Sequence, residues 1–301
     1  MLLTLVTAAG LALAQQTDTT FAVQQGARLK VDNFGGEIVV RTGSEARVRV
    51  QAEHSSRTTL GITVGPTLVS IKSEGRRGPP QLVTIRLTVP TWMALNLSGV
   101  YTDISLEGTQ AAVSAETVEG DVTLRGGSGA VTLQSVEGDV TVTGARGRVD
   151  VRTVDGTIRI DDAAADIVAE TVDGDILLRT INAASVDAST VDGDIVYDGT
   201  IRDDGRYSLA THDGDLAIAI PERTNATVDI QTFGGSIDVS FPVEVTETRR
   251  DRRFSVVLGR GTAQIELQSF DGDIRLVRPG EVSLPPRDGP HKDHDKDKEH
   301  K

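Results

Sequence analysis

Apolar positions along the chain share one register, Φ-x-Φ-x-x-Φ-x-G-x-Φ-x-Φ. The copy Val149, Val151, Val154, Gly156, Ile158, Ile160 is followed by Ile167, Ala169, Val172, Gly174, Ile176, Leu178. Further copies centre on Gly120, Gly138, Gly193, Gly214, Gly235 and Gly272, and in Leu95, Leu97, Val100, Thr102, Ile104, Leu106 a threonine replaces the glycine. The step is 18 residues from Thr102 through Gly120, Gly138 and Gly156 to Gly174, then 19 to Gly193, 21 to Gly214, 21 to Gly235 and 37 to Gly272. The last step, about twice the others, predicts a degenerate turn. Within each copy the apolar residues alternate with period two, a strand signal. The three-residue step breaks that alternation, so the chain is expected to turn a corner there with its third apolar position and its glycine facing inward. On that reading Val172 and Ile176 fill a core, Phe34, Phe233 and Phe270 fill it near the ends, and His212 is a core histidine. The glycine then admits a bulky neighbour or a bulge. A short hydroxyl stands at each corner, at Thr117, Ser135, Thr153, Thr171, Thr190, Thr211, Thr232 and Ser269, where it can bond to nearby backbone.

Two short strands per period cannot close a core alone, but stacked coils bury a continuous one. The pattern therefore predicts an all-β, parallel β-solenoid of about ten coils of 18–21 residues over 91–280, on the order of 45 Å long. Residues 20–90 read differently: one copy, Leu29, Val31, Phe34, Gly36, Ile38, Val40, precedes longer alternating strands, and the segment is expected to form an N-terminal β cap. The tail, 281–301, is charged, nearly without apolar residues beyond its start, and expected to be disordered. Residues 1–14, an apolar run closing on Ala12-Leu13-Ala14 without a basic n-region, read as a signal peptide.

No other segment has the roughly 18–20 consecutive apolar residues of a membrane-spanning helix. With no cysteine, disulfides, thiolate chemistry and a lipidated-cysteine anchor are excluded. A formal net charge of -13 argues against nucleic acid as a partner, since phosphate binding needs clustered Lys and Arg. The one basic cluster, Arg249, Arg250, Arg252 and Arg253, is expected in a solvated loop.

Candidate chemistry centres on the acids around the glycine: Glu119/Asp121, Glu137/Asp139, Asp173/Asp175, Asp192/Asp194, Asp213/Asp215 and Asp271/Asp273. Two residues along a strand span about 6.6–6.8 Å, within the range of an inverting glycosidase pair. An active site, however, needs one privileged pair, and these pairs are equivalent. Calcium is the sharper rival, with Asp173, Asp175, Asp192, Asp194, Asp213 and Asp215 as its candidate ligands. Yet the calcium-binding nonapeptide pattern is absent. Acids stacked about 4.8 Å apart repel by only about 0.9 kcal/mol in water, so no cation is demanded. The column is also interrupted at Thr157 and Ser236. Of five histidines, His291, His294 and His300 lie in the tail and His54 is placed in a loop. Trp92 stands alone near the cap, and at 3% aromatic residues the chain is poor in platforms for sugars. No nucleophile motif or phosphate loop appears.

The spaced "VEGDV" and "VDGDI" copies, the leader-like start, and the Val89-Pro90 and Ile220-Pro221 steps before further copies resemble the bacterial putative-adhesin family of uncharacterised envelope domains, over residues 20–280. The resemblance implies an exported β-solenoid without a recognised catalytic motif. The expectation is a non-enzymatic envelope or surface scaffold that binds an envelope protein or polymer through an acidic face and has no catalytic residue or obligate cofactor. A calcium-stabilised solenoid and a carbohydrate-active β-helix enzyme are the alternatives.

Overall fold

The computed structural model describes residues 15–243, 245–249 and 253–282. The expected leader, most of the expected tail with its three histidines, Arg250 and Arg252 lie outside the described residues. All the described elements are strands, and no helix long and apolar enough to cross a membrane occurs among them.

Each central copy folds into a strand, a corner and a second strand, and pairs in parallel with the same copy one period on. Arg146–Arg152 lies against Ala164–Glu170 with Val149 opposite Ile167, and Ile158–Asp161 lies against Ile176–Asn182 with Ile158 opposite Ile176. Like residues therefore stack: Val131, Val149, Ile167 and Val186 on one inner face, Val140, Ile158, Ile176 and Ile195 on the other, all buried. Each such side chain contributes about 1.5–3 kcal/mol, available only once a neighbouring coil covers it. A third column of single bridges runs along the first corner from Tyr101 through Glu119, Glu137, Asp155, Asp173 and Asp192 to Asp213. The molecule is a parallel β-solenoid. At its second corner the backbone is left-handed, with φ of 79°, 74° and 72° at Gly108, Gly126 and Gly144, and 52° and 54° where Asp162 and Thr180 take over.

The ends depart from sequence order. Arg28–Gly43 sits between Ala94–Glu107 on one side and Leu68–Gly75 with Val83–Pro90 on the other, parallel to all three. Antiparallel strands then cover the outer coil: Thr58–Val64 on Leu68–Gly75, Arg47–His54 on Val83–Pro90, and Gln15–Ala22 on Arg47–His54. Part of the 20–90 segment thus belongs to the stack, while the rest covers its end. His54, placed in a loop by the sequence pattern, closes a strand instead. It is buried, with Nε2 3.2 Å from the Thr17 hydroxyl and Nδ1 3.0 Å from the Ser55 carbonyl.

The 37-residue step is likewise no degenerate turn. The coil of Gly272 packs directly on that of Gly214, through Arg206–Asp213 against Ala263–Asp271 and Leu216–Ala219 against Ile274–Val277. The coil of Gly235 lies outside it, with Ala226–Thr232 on Ala263–Asp271 and Ile237–Val239 on Ile274–Val277. The intervening residues make the hairpin Val245–Arg249 and Arg253–Leu258, whose second strand runs antiparallel along Ala226–Gln231. Arg249 and Arg253 therefore belong to cap strands rather than to a free loop.

Candidate functional site

The repeated Asp-Gly-Asp corner is organised around one peptide group per coil. The carbonyl of Gly193 and the N–H of Asp194 belong to the same buried peptide, and both bond to side chains of neighbouring coils. On the inner side the buried Thr190 hydroxyl of the next coil donates to the Gly174 carbonyl oxygen at 3.1 Å. The contact recurs from Ser135 to Gly120, Thr153 to Gly138, Thr211 to Gly193 and Ser269 to Gly214, at 3.0–3.2 Å. On the outer side the carboxylate after the glycine accepts the N–H of its counterpart one coil on. Asp175 Oδ1 accepts from Asp194 at 2.9 Å, Asp194 from Asp215 at 2.8 Å and Asp215 from Asp273 at 2.8 Å. Asp121 and Asp139 likewise accept from Asp139 and Thr157, at 2.9 and 2.8 Å. A buried peptide turned out of the ladder would otherwise leave two polar groups unpaired, at about 1–3 kcal/mol each.

Gly174 permits this turn. Its φ is 147°, and a Cβ there would stand well inside contact distance of the Gly156 carbonyl oxygen, which is backbone and cannot move aside. The glycine makes room for the neighbouring coil's main chain, not for a bulky side chain. The same close approach links Gly272 to Gly214 and Gly235 to Gly272, in the spatial order of the coils.

The corner also turns the third apolar position outward, contrary to the parity expected from the sequence. Val118, Val136, Val154, Val172 and Val191 are between 42 and 50% exposed, and the column continues through exposed His212 to Phe270 and Phe233. His212 is no core histidine; its ring stacks on Phe270 with centroids 4.6 Å apart, and Phe270 contacts Phe233 at 5.4 Å. Val118, Val136, Val154 and Val172 floor a groove of about 580 Å³ that also touches Glu116, Gln134, Arg152 and Glu170. Ser98 and Gly99 join it to a second hollow of about 600 Å³ beside Phe34 and Asn33. Phe34 meets Tyr101 edge-on at 5.6 Å.

The two acids of each pair are not equivalent. Asp173, Asp192 and Asp213, before the glycine, are exposed; Asp175 and Asp215 are half-buried and Asp194 is buried. Among the described residues no group of three or more His, Cys, Asp or Glu is placed to hold a metal ion. At the C-terminal end the backbone N–H of Ser236, then its hydroxyl, hold the Asp273 carboxyl below the usual carboxylate range. Trp92 packs partly buried against the core. The sequence pattern missed one polar core pair: Tyr197 and Tyr207, with rings 5.6 Å apart, donate to the carbonyls of Thr200 and Ala183. Burial pushes the Tyr197 phenol far above its ordinary range.

Several solved structures are similar to this chain. One described as a putative adhesin from Bacteroides fragilis NCTC 9343 is 15% identical, covers 89% of this chain and 100% of its own, and has a TM-score of 0.46. A putative cell adhesion protein from Clostridium sporogenes ATCC 15579 is 9% identical over 88% and 100%, with a TM-score of 0.25. A putative lipid binding protein from Parabacteroides distasonis ATCC 8503 is 9% identical over 87% and 97%, with a TM-score of 0.37. No curated protein matches the chain. The Toastrack DUF4097 family model matches residues 27–277, and the chain belongs to that family.

Proposed function

We propose that the chain is a non-enzymatic, exported, adhesin-like scaffold that presents its repeated acidic corner to a protein or polymer of the cell envelope. The observation that carries this reading is the equivalence of the coils. In coil after coil, the acid before the glycine is exposed and the acid after it is engaged with backbone of the next coil. A hydrolytic pair needs one site made unlike its neighbours. In this reading residues 1–14 direct export, 20–90 supply the N-terminal end, 91–280 the repeat and 281–301 a charged tail. The net charge of -13 turns the scaffold away from nucleic acid and toward neutral or cationic partners.

Fractionation of cells carrying the tagged full chain tests the reading: the protein is expected in the envelope or medium, and an intact chain in the cytoplasm overturns export. Hydrolysis of any member of a broad glycan panel would overturn the non-enzymatic assignment. Millimolar calcium is expected to leave the melting midpoint within about a degree of its value in chelator; a rise of several degrees would place a cation in the acid column.

A further inference from the structure

The groove along the first corner has a composition that selects its occupant. Its floor is the half-exposed column Val118, Val136, Val154, Val172. One residue further on, Glu119, Glu137, Asp155 and Asp173 form an exposed acidic wall along it. The opposite wall carries Glu116 and Glu170, and its one cation, Arg152, is already answered by Asp150 at 2.7 Å and Glu170 at 3.0 Å. Outward positions on the adjoining strands are mostly polar, as at Ser114, Thr132 and Asp150, so a run of stacked valines at the corner is not a general feature of this surface. Scattered exposed apolar residues are ordinary, but a contiguous stripe rimmed by charge marks an interaction surface.

We propose that this groove docks a basic amphipathic helix of a partner protein, its apolar stripe laid along the valine column and its Lys or Arg side chains against the acidic walls. The proposal rests on the scaffold reading above and names the class of its partner. Charge complementarity selects a cation-bearing occupant, and an anionic lipid surface or polyanion would be repelled. Spacing selects the helix. Coils repeat about every 4.8 Å, a helical stripe about every 5.4 Å, and same-side residues of an extended chain about every 6.6–6.8 Å. From Val118 to Val191 the helix drifts out of step by about 2 Å and the extended chain by about 8 Å.

The test uses the full chain and three labelled peptides of about 18 residues, five helical turns. One is a Leu/Lys peptide patterned with a single leucine stripe, the second has the same composition scrambled, and the third is all lysine. Fluorescence anisotropy at about 150 mM NaCl is expected to give at least about ten-fold tighter binding for the patterned peptide than for either control. The triple variant V136S/V154S/V172S should lose about ten-fold of that affinity with its melting midpoint nearly unchanged, because the valines are half-exposed. Asp155→Asn with Asp173→Asn, which keeps side-chain shape, should weaken binding and flatten its salt dependence. Val257→Ser, at an exposed valine far from the groove, should leave binding unaltered. Equal binding of the scrambled or all-lysine peptide, or full affinity in the serine triple, overturns the groove. The two readings fail separately: if the serine triple keeps its place in the envelope but binds the patterned peptide as wild type does, the scaffold stands and the groove falls. If the wild-type chain is cytoplasmic, the scaffold falls whatever the peptides do.

Discussion

From Val113 to Thr200 every coil pairs with the coil before and the coil after it in sequence, whereas at both ends a coil is interposed out of order. Arg28–Gly43 enters between Leu68–Pro90 and Ala94–Glu107, and Ala263–Val277 enters between Arg206–Ala219 and Ala226–Val239. The difference follows from what each region must do with its edges. A central coil has both edges covered by its sequence neighbours through an 18-residue step. A terminal coil faces an open edge, and the caps that close it are antiparallel strands, which do not require a crossover connection. At the C-terminal end the hairpin Val245–Leu258 follows the outer coil directly, and the chain then returns to fill the layer beneath. The same coil therefore yields two assembly rules, one local and one with contacts between residues some 58 positions apart.

The comparison breaks first, if it breaks, at the C-terminal end. A chain truncated before Ala263 lacks the strands that pair in parallel with the Gly235 coil. Hydrogen exchange and limited proteolysis should then find residues 226–258 unprotected, with 94–219 still folded. Persistent protection of 226–258 would mean that this coil reseats on Gly214 and that order is set by chain proximity after all. In contrast, excising Arg146–Ala163, one central period, joins two equivalent corners and lets Thr171 meet the Gly138 carbonyl in place of Gly156. That variant should unfold cooperatively with a midpoint only a few degrees lower.

Within the central region, Gly174→Ala is expected to cost about 3–5 kcal/mol by urea denaturation, since it combines strained φ with a clash against backbone. At the N-terminal end Gly78 has φ of 87° but open space around its Cβ position, and Gly78→Ala should cost about 1 kcal/mol. Equal costs would show that stacking contributes nothing to the requirement for glycine. Thr190→Val, which keeps the shape of the side chain, should cost about 1–3 kcal/mol by stranding the Gly174 carbonyl, and Thr190→Ser should recover most of it.

The central rule was legible because local steps leave a period in the sequence. The two strands, the corner and the hydroxyl at Thr117 through Ser269 were all readable from alternation. The direction of Val172 was not. Parity counting assumes an unbroken strand from Val172 to Ile176, and the peptide turned out at Gly174 resets it. A polar residue at the same position, His212, was the available signal that the column faces water. The interposed coils were illegible for a different reason: a repeat records which residues can stack, while the edge a coil finally covers depends on the caps. The 37-residue step held that information only as an irregularity. For the candidate site, the pattern located the acids but could not tell Asp173, in water, from Asp175, bonded to the next coil, because both flank the same glycine.

The smallest expected effect lies at the second corner, where coils that otherwise match differ in one residue. Gly108, Gly126 and Gly144 occupy a left-handed conformation that Thr180 adopts with φ of 54°, and the ladder slips between Arg179 and Ile181 beside it. A β-branched side chain is strained there, at about 1–2 kcal/mol. Glycine relieves the strain but adds about 0.5–1 kcal/mol of chain entropy in the unfolded state, so Thr180→Gly should be close to neutral. Asparagine tolerates the left-handed region without that entropy, and Thr180→Asn should stabilise by about 0.5–1 kcal/mol, read as a rise of a few degrees in the melting midpoint. A loss of stability in both variants would show that the exposed Thr180 side chain itself holds the slipped register.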